Sequence, residues 1–452
     1  MSRSGAATPP RRAAYEVLRR VFEHDAWADR AFPAAAERYG LDTRERAQAQ
    51  WLAYGAVQRR GTSDHLIASL ARRDPASLDG AVLASLRLGL FELMFSESAD
   101  HAAVDGAVEL AKTGMRHGGS RRAAGASGLV NAVLRRAATE RVALVGSMSD
   151  ETPAGAAVAH SVPPWLAEMW WDELGAEGAR SLLGSLNDPP ETVMRANTLR
   201  TTPHALRAGL EAAGEALAPS GEDGLLDPQE ALRWEGPLGE AALGALGDGR
   251  MFAQSRGAQA VVGMLDPRAG ERVLDLCAGP GVKTTAIAAR MEGAGEVVAV
   301  EQDPARARQI SELAGRAGAD NIRVVVADAS ASLDGAPDDQ GYDRVLVDPP
   351  CSDLGTLASR PDARWRKDPA TIERLAAVQA EILNTGIAAL RPGGTLVYST
   401  CTISERENEG VVATVIASNP GLESVRRLDT RPDRDGTDGF FIAEFRTGKS
   451  GV

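Results

Sequence analysis

Between Arg11 and Arg141 apolar residues recur at helical spacing, as in Tyr15, Val17, Leu18 and Val21-Phe22, and again in Leu83, Leu86, Leu88, Leu90-Phe91 and Leu93-Met94. Strand signals are absent there, which predicts an all-helical bundle. Beyond about Arg272 the pattern changes. Short apolar runs (Arg272–Leu276, Glu296–Val300, Ile322–Val326, Arg344–Val347, Thr395–Ser399) alternate with helical stretches (Thr284–Arg290, Pro304–Ala317, Thr371–Leu390). Such alternation predicts a doubly wound parallel sheet of the Rossmann-like α/β class, whose site lies at the C-terminal ends of the strands. A last run, Gly439–Phe445, reads as a closing strand.

Two weaker segments separate these regions. Val145–Ala159 is rich in Gly, Ser, Ala and acidic residues and reads as a poorly ordered linker. From Val162 to about Arg250 a smaller α/β unit is expected. There Pro163-Pro164 starts a helix carrying Trp165, Trp170 and Trp171 as packing residues, and Thr192–Asn197 forms a strand. The expected division is a helical domain over 1–142, a linker over 143–161, a small α/β subdomain over 162–250 and a larger α/β domain over 251–446.

At 452 residues the chain is long enough for about three domains on a prior of about 150 each. Three cysteines and the lack of any apolar run near the roughly 18 residues of a membrane helix fit a reduced, cytoplasmic setting. Met1–Arg12 is short, polar and basic, without the apolar core of a signal peptide, and reads as a frayed tail. A net charge of −12 argues against a nucleic-acid substrate only until the charge is located. Residues 1–141 carry 21 Lys/Arg against 16 Asp/Glu, a net of +5, which leaves −17 for the remainder. Lys112, Arg116, Arg121, Arg122, Arg135 and Arg136 follow one another with no acid between them, and glycines 114, 118, 119 and 125 place some of them on a loop that would track a phosphate backbone. A solvated helix face explains the same charges equally well.

The chemistry sits in the α/β region. Leu274-Asp275-Leu276-Cys277-Ala278-Gly279-Pro280-Gly281-Val282-Lys283-Thr284 is a glycine turn opening a helix, suited to a nucleotide-like cofactor. Cys351 follows Asp348-Pro349-Pro350, where two prolines after an apolar run end the strand in a rigid turn. Cys401 follows Tyr398-Ser399-Thr400. A lone cysteine is more often a small buried residue, but all three cysteines fall at ends of predicted strands. The third, Cys277, is read as lining the cofactor loop.

A thiol placed so is suited to adding to C6 of a pyrimidine, which pushes electron density onto C5 for attack on the methyl of S-adenosylmethionine. A free thiol, with pKa of about 8.5, is a few per cent thiolate at neutral pH, and a nearby positive charge, from Lys283 or the cofactor sulfonium, would raise that share. Asp348 is assigned to the N3/N4 edge of the base, and the second thiol to collapse of the adduct.

On these motifs, the stretch Phe252–Phe445 resembles the RNA cytosine-C5 methyltransferases, and nearly the whole chain resembles the bacterial small-subunit ribosomal RNA methyltransferase B (Sun/Fmu) family. The helical region resembles the antitermination factor NusB, most clearly in Gly128–Arg135, and a docking module without RNA contact is the other reading. The resemblance implies a NusB-like helical domain, a small RNA-contacting subdomain and a class I methyltransferase domain with an antiparallel last strand. It implies a monomer that forms 5-methylcytosine in 16S rRNA, with RNA and S-adenosylmethionine as its partners and no metal or membrane. Carried over, Cys401 is the nucleophile and Cys351 assists release. Asp348 and Lys283 complete the catalytic set. The cofactor pocket maps to Cys277, Ala278, Gly279, Pro280, Gly281, Val282, Lys283, Glu301, Asp328 and Asp348, with Glu301 gripping the ribose diol. The same resemblance offers Arg195 and Asn197 to RNA, with a surface ion pair as the other reading of Arg195. Arg360 and Arg364-Trp365-Arg366-Lys367 form a basic, aromatic stretch suited to phosphate and base contact, or else a solvated loop.

Two departures stand out: Val282 where the family usually has glycine, and Glu301 and Ser255 where it usually has aspartate. Val282 is expected in an ordinary conformation, since it does not easily take a positive φ. A tRNA substrate is the rival within the same chemistry, and a non-catalytic RNA-binding or assembly factor is the rival of another class. The intact Cys351, Cys401, Asp348 and Lys283 argue against the latter. Amino-methylation of adenine, the third rival, usually places an aromatic where Cys351 stands.

Overall fold

The computed structural model describes residues 7–115, 120–219, 224–226, 228–331 and 341–448. They belong to two compact units, Met1–Asn187 with Arg360–Arg366, and Asp188–Ser359 with Lys367–Val452.

The first unit is helical: Pro9–Glu23, Ala28–Arg38, Thr43–Gln58, Arg60–Ala71, Gly80–Phe95, Asp100–Gly114 and Ser120–Gly146 form the bundle. Gly80–Phe95 is apolar on every side and buried along most of its length, as a central bundle helix must be. Its buried charges are paired by long-range arginine contacts, Arg87 with Asp64 at 2.7 Å and Glu92 with Arg11 at 2.6 Å. Arg11 lies in the segment expected to fray, yet the chain is helical from Pro9, which takes the first-turn position where a missing N–H costs nothing. Residues 1–6 of that segment lie outside the described residues.

The expected linker is ordered. The helix Ser120–Gly146 runs into it, and Pro153–His160 forms a further helix capped by the Thr152 hydroxyl. Thr62 donates to the Val158 carbonyl at 2.6 Å and Ser161 to that of Gln58 at 2.7 Å, so this segment is tied down. Helix Pro164–Ser185, with Trp170 buried, also belongs to this unit, which runs to Asn187.

The basic stretch after Cys351 supplies the unit's last piece. Arg364 is fully buried and donates to the Ser161 and Leu186 carbonyls and to Asn187 Oδ1, at 3.1–3.2 Å. Trp365 Nε1 donates to the Val57 carbonyl at 2.9 Å, and Arg366 pairs with Asp25 and lies over the Trp27 ring. Asp362 accepts the Ala28 N–H at 2.9 Å, capping a helix that lacks a capping side chain of its own. Of the residues read as an RNA-contacting loop, Arg364, Trp365 and Arg366 are structural, since their donors satisfy main-chain carbonyls far away in sequence, whereas Arg360 is exposed and Lys367 pairs with Asp353.

The second unit contains two sheets. The smaller has the order β2-β1-β3, from β1 (Thr192–Ala196), β2 (Ala231–Trp234) and β3 (Met251–Ala253). Arg195 and Asn197 do not face RNA. Arg195 is buried against Gln254 (2.6 Å) and Thr285 (3.2 Å), and Asn197 donates to the Gly249 and Ala317 carbonyls at 2.8 and 2.9 Å.

The larger sheet comprises β4 (Arg272–Asp275), β5 (Glu296–Glu301), β6 (Ile322–Val326), β7 (Tyr342–Val347), β8 (Leu390–Thr400), β9 (Leu422–Asp429) and β10 (Phe441–Thr447), in the order β6-β5-β4-β7-β8-β10-β9. Pairing is parallel from β6 to β8, whereas β10 runs antiparallel to both β8 and β9. Alternate residues face opposite layers. Val345, Val347, Leu396 and Tyr398 pack in the core with helices Pro369–Ala389 and Glu409–Ser418, whereas Leu346 and Val397 pack with Arg256–Leu265 and Val282–Arg290. Burial on both faces is why these strands read as continuous apolar runs.

Candidate active site

Every candidate side chain of this site belongs to the second unit, at the C-terminal ends of β4, β5, β6, β7 and β8. The turn after β4 is shaped by its glycines. Gly281 takes φ 103°, so the positive angle falls there and Val282 is an ordinary first helical residue. Gly279 makes room for a different group: a Cβ there would lie 2.1 Å from Glu301 Oε2 and displace that carboxylate. Its N–H donates to that oxygen at 3.1 Å, while Asp303 N–H donates to Oε1 at 2.9 Å.

Glu301 ends β5, and Asp328 lies two residues beyond the neighbouring β6, accepting from the N–H and hydroxyl of Ser330. The Ser330 hydroxyl is the main cause holding the Asp328 carboxyl below its ordinary value. Two carboxylates on adjacent strand ends, beside a glycine turn and a helix N-terminus, fit a nucleoside-bearing cofactor: one acid for a ribose diol, one for a base amine. Cys277 is half-buried at the start of the turn, where burial pushes its thiol up.

Asp348 follows β7 and takes one hydrogen bond on each oxygen, from Lys283 Nζ at 2.7 Å and from the Ser399 hydroxyl at 2.8 Å. Burial pulls the Lys283 pKa down, but the charge and hydrogen bond of Asp348, with the charges of Cys401 and Asp275 added, together outweigh it, and the ammonium is held above its ordinary value. Each Asp348 oxygen keeps a lone pair for a further donor.

The two thiols meet. Cys351 Sγ and Cys401 Sγ are 3.3 Å apart although fifty positions separate them. Contact with Cys351 and burial, with the charges of Asp353 and Asp348 added, push the Cys401 thiol well up from its ordinary value. This reverses the expectation that Lys283 would acidify the nucleophile, because Lys283 is committed to Asp348.

Sequence reasoning missed three groups. Asp353, at φ 60°, stands 3.2 Å from Cys401 Sγ, 3.9 Å from Cys351 Sγ and 3.5 Å from Lys367 Nζ. An acid two residues after a candidate thiol was the available signal. Glu407 is fully buried and accepts from Ser352 N–H and Gln379 Nε2, each at 2.9 Å, and from the Ser352 hydroxyl, which is 2.7 Å from Thr402 Oγ1. Since Ser352 follows Cys351 and Thr402 follows Cys401, this carboxyl fixes the two thiol-bearing turns to each other. Its signal lay in the acidic run Glu405–Glu409, which reads as solvated helix. Asp275 is the third: buried, with Oδ2 accepting from the Thr284 hydroxyl at 2.8 Å and Oδ1 unpartnered.

Among the basic candidates of the helical unit, Arg116, Gly118 and Gly119 lie outside the described residues. Gly125 is helical, so Arg121 and Arg122 sit on a helix rather than a loop, exposed as Arg135 is; Arg136 pairs with Glu140 at 2.8 Å.

Residues 262–446 match the family model described as 16S rRNA methyltransferase RsmB/F, and residues 8–139 match the NusB family. Ribosomal RNA small subunit methyltransferase B of Thermus thermophilus is 34% identical over 97% of this chain and 98% of its own length. The protein of the same name from Erwinia tasmaniensis is 30% identical over 95% and 97%. The crystal structure of PH0851 shares the fold, with a TM-score of 0.81 over 97% of this chain and 98% of its own at 23% identity.

Proposed function

The chain belongs to the RsmB/F family of 16S rRNA methyltransferases, and from that premise we propose that it forms 5-methylcytosine in 16S rRNA, at a site of the cytosine-967 type, through a covalent cysteine adduct. Membership makes it an S-adenosylmethionine-dependent RNA methyltransferase. The observation that carries the finer reading is the thiol pair, 3.3 Å apart beside Asp348 at the ends of β7 and β8.

Cys401 attacks C6 of the cytosine, and the electron pair of the C5–C6 bond moves to C5. Asp348 faces the N3/N4 edge of the base and accepts from the N4 amine with the lone pairs that Lys283 and Ser399 leave open. S-adenosylmethionine, when bound, supplies the methyl group that C5 takes up. Glu301 and Asp328 would hold its ribose and adenine, and the turn Cys277–Val282 its methionine end. Cys351 then takes the C5 proton, the double bond re-forms and Cys401 is expelled. An enzyme that only added a thiol would stop at the adduct, so a second thiol in contact with the first supports a release role.

We assign residues 251–446 to catalysis and the helical region 1–142 to RNA binding through Arg121, Arg122 and Arg135. Among the described residues no helix is long and apolar enough to cross a membrane, and we place the reaction in the cytoplasm, carried out by a monomer. Bisulfite sequencing of total RNA from cells with and without the gene tests the substrate. Loss of one 5-methylcytosine from 16S rRNA supports the reading, and loss from tRNA alone replaces it with the tRNA rival.

A further inference from the structure

Nucleophilic attack needs a thiolate, yet Cys351, Asp353 and Asp348 surround Cys401 and outweigh the Lys283 ammonium, which also faces the sulfur but is hydrogen-bonded to Asp348. The proton must therefore leave as the carbon–sulfur bond forms, which calls for an acceptor within hydrogen-bond reach. Asp348 takes hydrogen bonds from Lys283 and Ser399, and its remaining lone pairs are assigned to the base edge rather than to Cys401. Glu407 is engaged by Ser352 and Gln379. Asp353 is placed differently, with Oδ1 3.2 Å from Cys401 Sγ and Oδ2 on the side of Lys367 Nζ, at 3.5 Å.

Its backbone is also held for the purpose. Asp353 has φ 60°, a conformation that favours glycine and that aspartate tolerates better than most residues. The Thr356 N–H and hydroxyl both donate to its carbonyl at 3.0 Å, and Gly355 N–H donates to the Cys401 carbonyl at 3.0 Å, which locks this turn onto the nucleophile's own main chain. Gly355 has no room for a side chain, since a Cβ would fall 2.0 Å from the Gly439 carbonyl. A residue kept in a sparsely populated conformation, aimed at the reacting sulfur, is the kind of outlier that motivates a functional assignment.

We propose that Asp353 is a catalytic residue, the general base that takes the Cys401 proton as sulfur adds to C6, with Lys367 positioning its carboxylate. The step balances: the S–H bond breaks, the S–C6 bond forms, the proton passes to Asp353 Oδ1 and the π pair to C5. When Cys401 leaves at the end of the cycle, the Asp353 carboxyl returns the proton to the sulfur. The proton lost from C5 goes to Cys351 as its thiolate, whose own proton has left to solvent, so one proton is released per methyl transferred.

This assignment rests on the proposed thiol chemistry, and two measurements on the full chain separate the two. The first uses no RNA: the pH midpoint of Cys401 alkylation by iodoacetamide, read by peptide mass mapping. Asp353→Asn removes a negative charge 3.2 Å from the sulfur and lowers that midpoint. The second is the single-turnover rate of adduct formation with cytosine-containing 16S rRNA. In Asp353→Asn it falls by about 10²-fold at neutral pH and recovers as pH rises, while Asp353→Glu restores part of it. Misfolding would also expose the thiol and lower its midpoint, so the assignment requires an unchanged melting temperature in Asp353→Asn and, in Asp353→Glu, which keeps the charge, a midpoint that stays high. An unchanged alkylation midpoint overturns the assignment whatever the RNA does. So does an Asp353→Asn adduct rate within about threefold of the unmodified chain, or a loss equal at every pH. If the unmodified chain forms no adduct at all, the proposed function falls with it.

Discussion

Asp275 ends β4 just before the cofactor turn and is almost fully buried. Burial, against the hydrogen bond from Thr284 and with the Asp348 charge adding to it, pushes its pKa from the ordinary 3.8 up to about 7. Below about pH 4 folded and unfolded chains both hold the proton, and the stability is fully present. Between pH 4 and 7 the unfolded chain ionises first, so stability falls as pH rises, and above about 7 the loss levels off. Three units at about 1.4 kcal/mol each give a loss of about 4 kcal/mol, a large share of a typical 5–15 kcal/mol. Asp275→Asn keeps the shape and cannot ionise. Its amide leaves one buried N–H unpaired at a pH-independent cost of about 1–3 kcal/mol. The unmodified chain is therefore the more stable at pH 4 and the variant at pH 8. Urea unfolding at several pH values, followed by hydrogen-exchange mass spectrometry on peptides covering residues 272–290, reads this unit separately from the helical one. Stability curves that stay parallel from pH 4 to pH 8 would refute the assigned ionisation.

Arg364→Leu deprives three buried acceptors of their donor, a loss of about 3 kcal/mol that lowers the melting temperature of the helical unit by about 10 °C. Reduced RNA affinity at an unchanged melting temperature would return Arg364 to the RNA surface. Replacing Arg121, Arg122 and Arg135 together by Gln weakens RNA binding and flattens the plot of log affinity against log salt by about 2, at about 0.7 per phosphate contact; an unchanged slope counts against this helix as an RNA anchor. Val282→Gly changes S-adenosylmethionine affinity by less than about tenfold in calorimetry, because Gly281 already carries the positive φ; a larger loss would mean that Val282 itself shapes the cofactor turn.

The catalytic sheet was legible because parallel strands buried on both faces leave runs such as Val345-Leu346-Val347, cut off by Pro349-Pro350. The positions of the glycine turn and of the two thiols at strand ends were legible for a related reason: each follows closely on one of those runs. Burial of long polar side chains was not. Arg195, Asn197, Arg364 and Trp365 looked like surface groups, and what buries them are carbonyls and amides from 52 to 308 positions away, which leave no local trace. The supposed linker misled in the opposite way. Its alanines and small polar residues suit a loop, but alanine is also the best helix former, and Ala156 and Ala157 become buried once Thr62 and Ser161 fasten the segment. Asp353 stayed hidden because neither its left-handed backbone nor its approach to a thiol 48 positions away is written in its neighbours.

The account stands on which thiol attacks. With 16S rRNA and S-adenosylmethionine, Cys401→Ala gives neither methylation nor a covalent complex, since no other group activates C5. Cys351→Ala still attacks and methylates but stalls, and on a denaturing gel it runs as a slow band sensitive to RNase. An adduct in Cys401→Ala with none in Cys351→Ala would exchange the two roles, and no adduct in either variant would contradict release by Cys351.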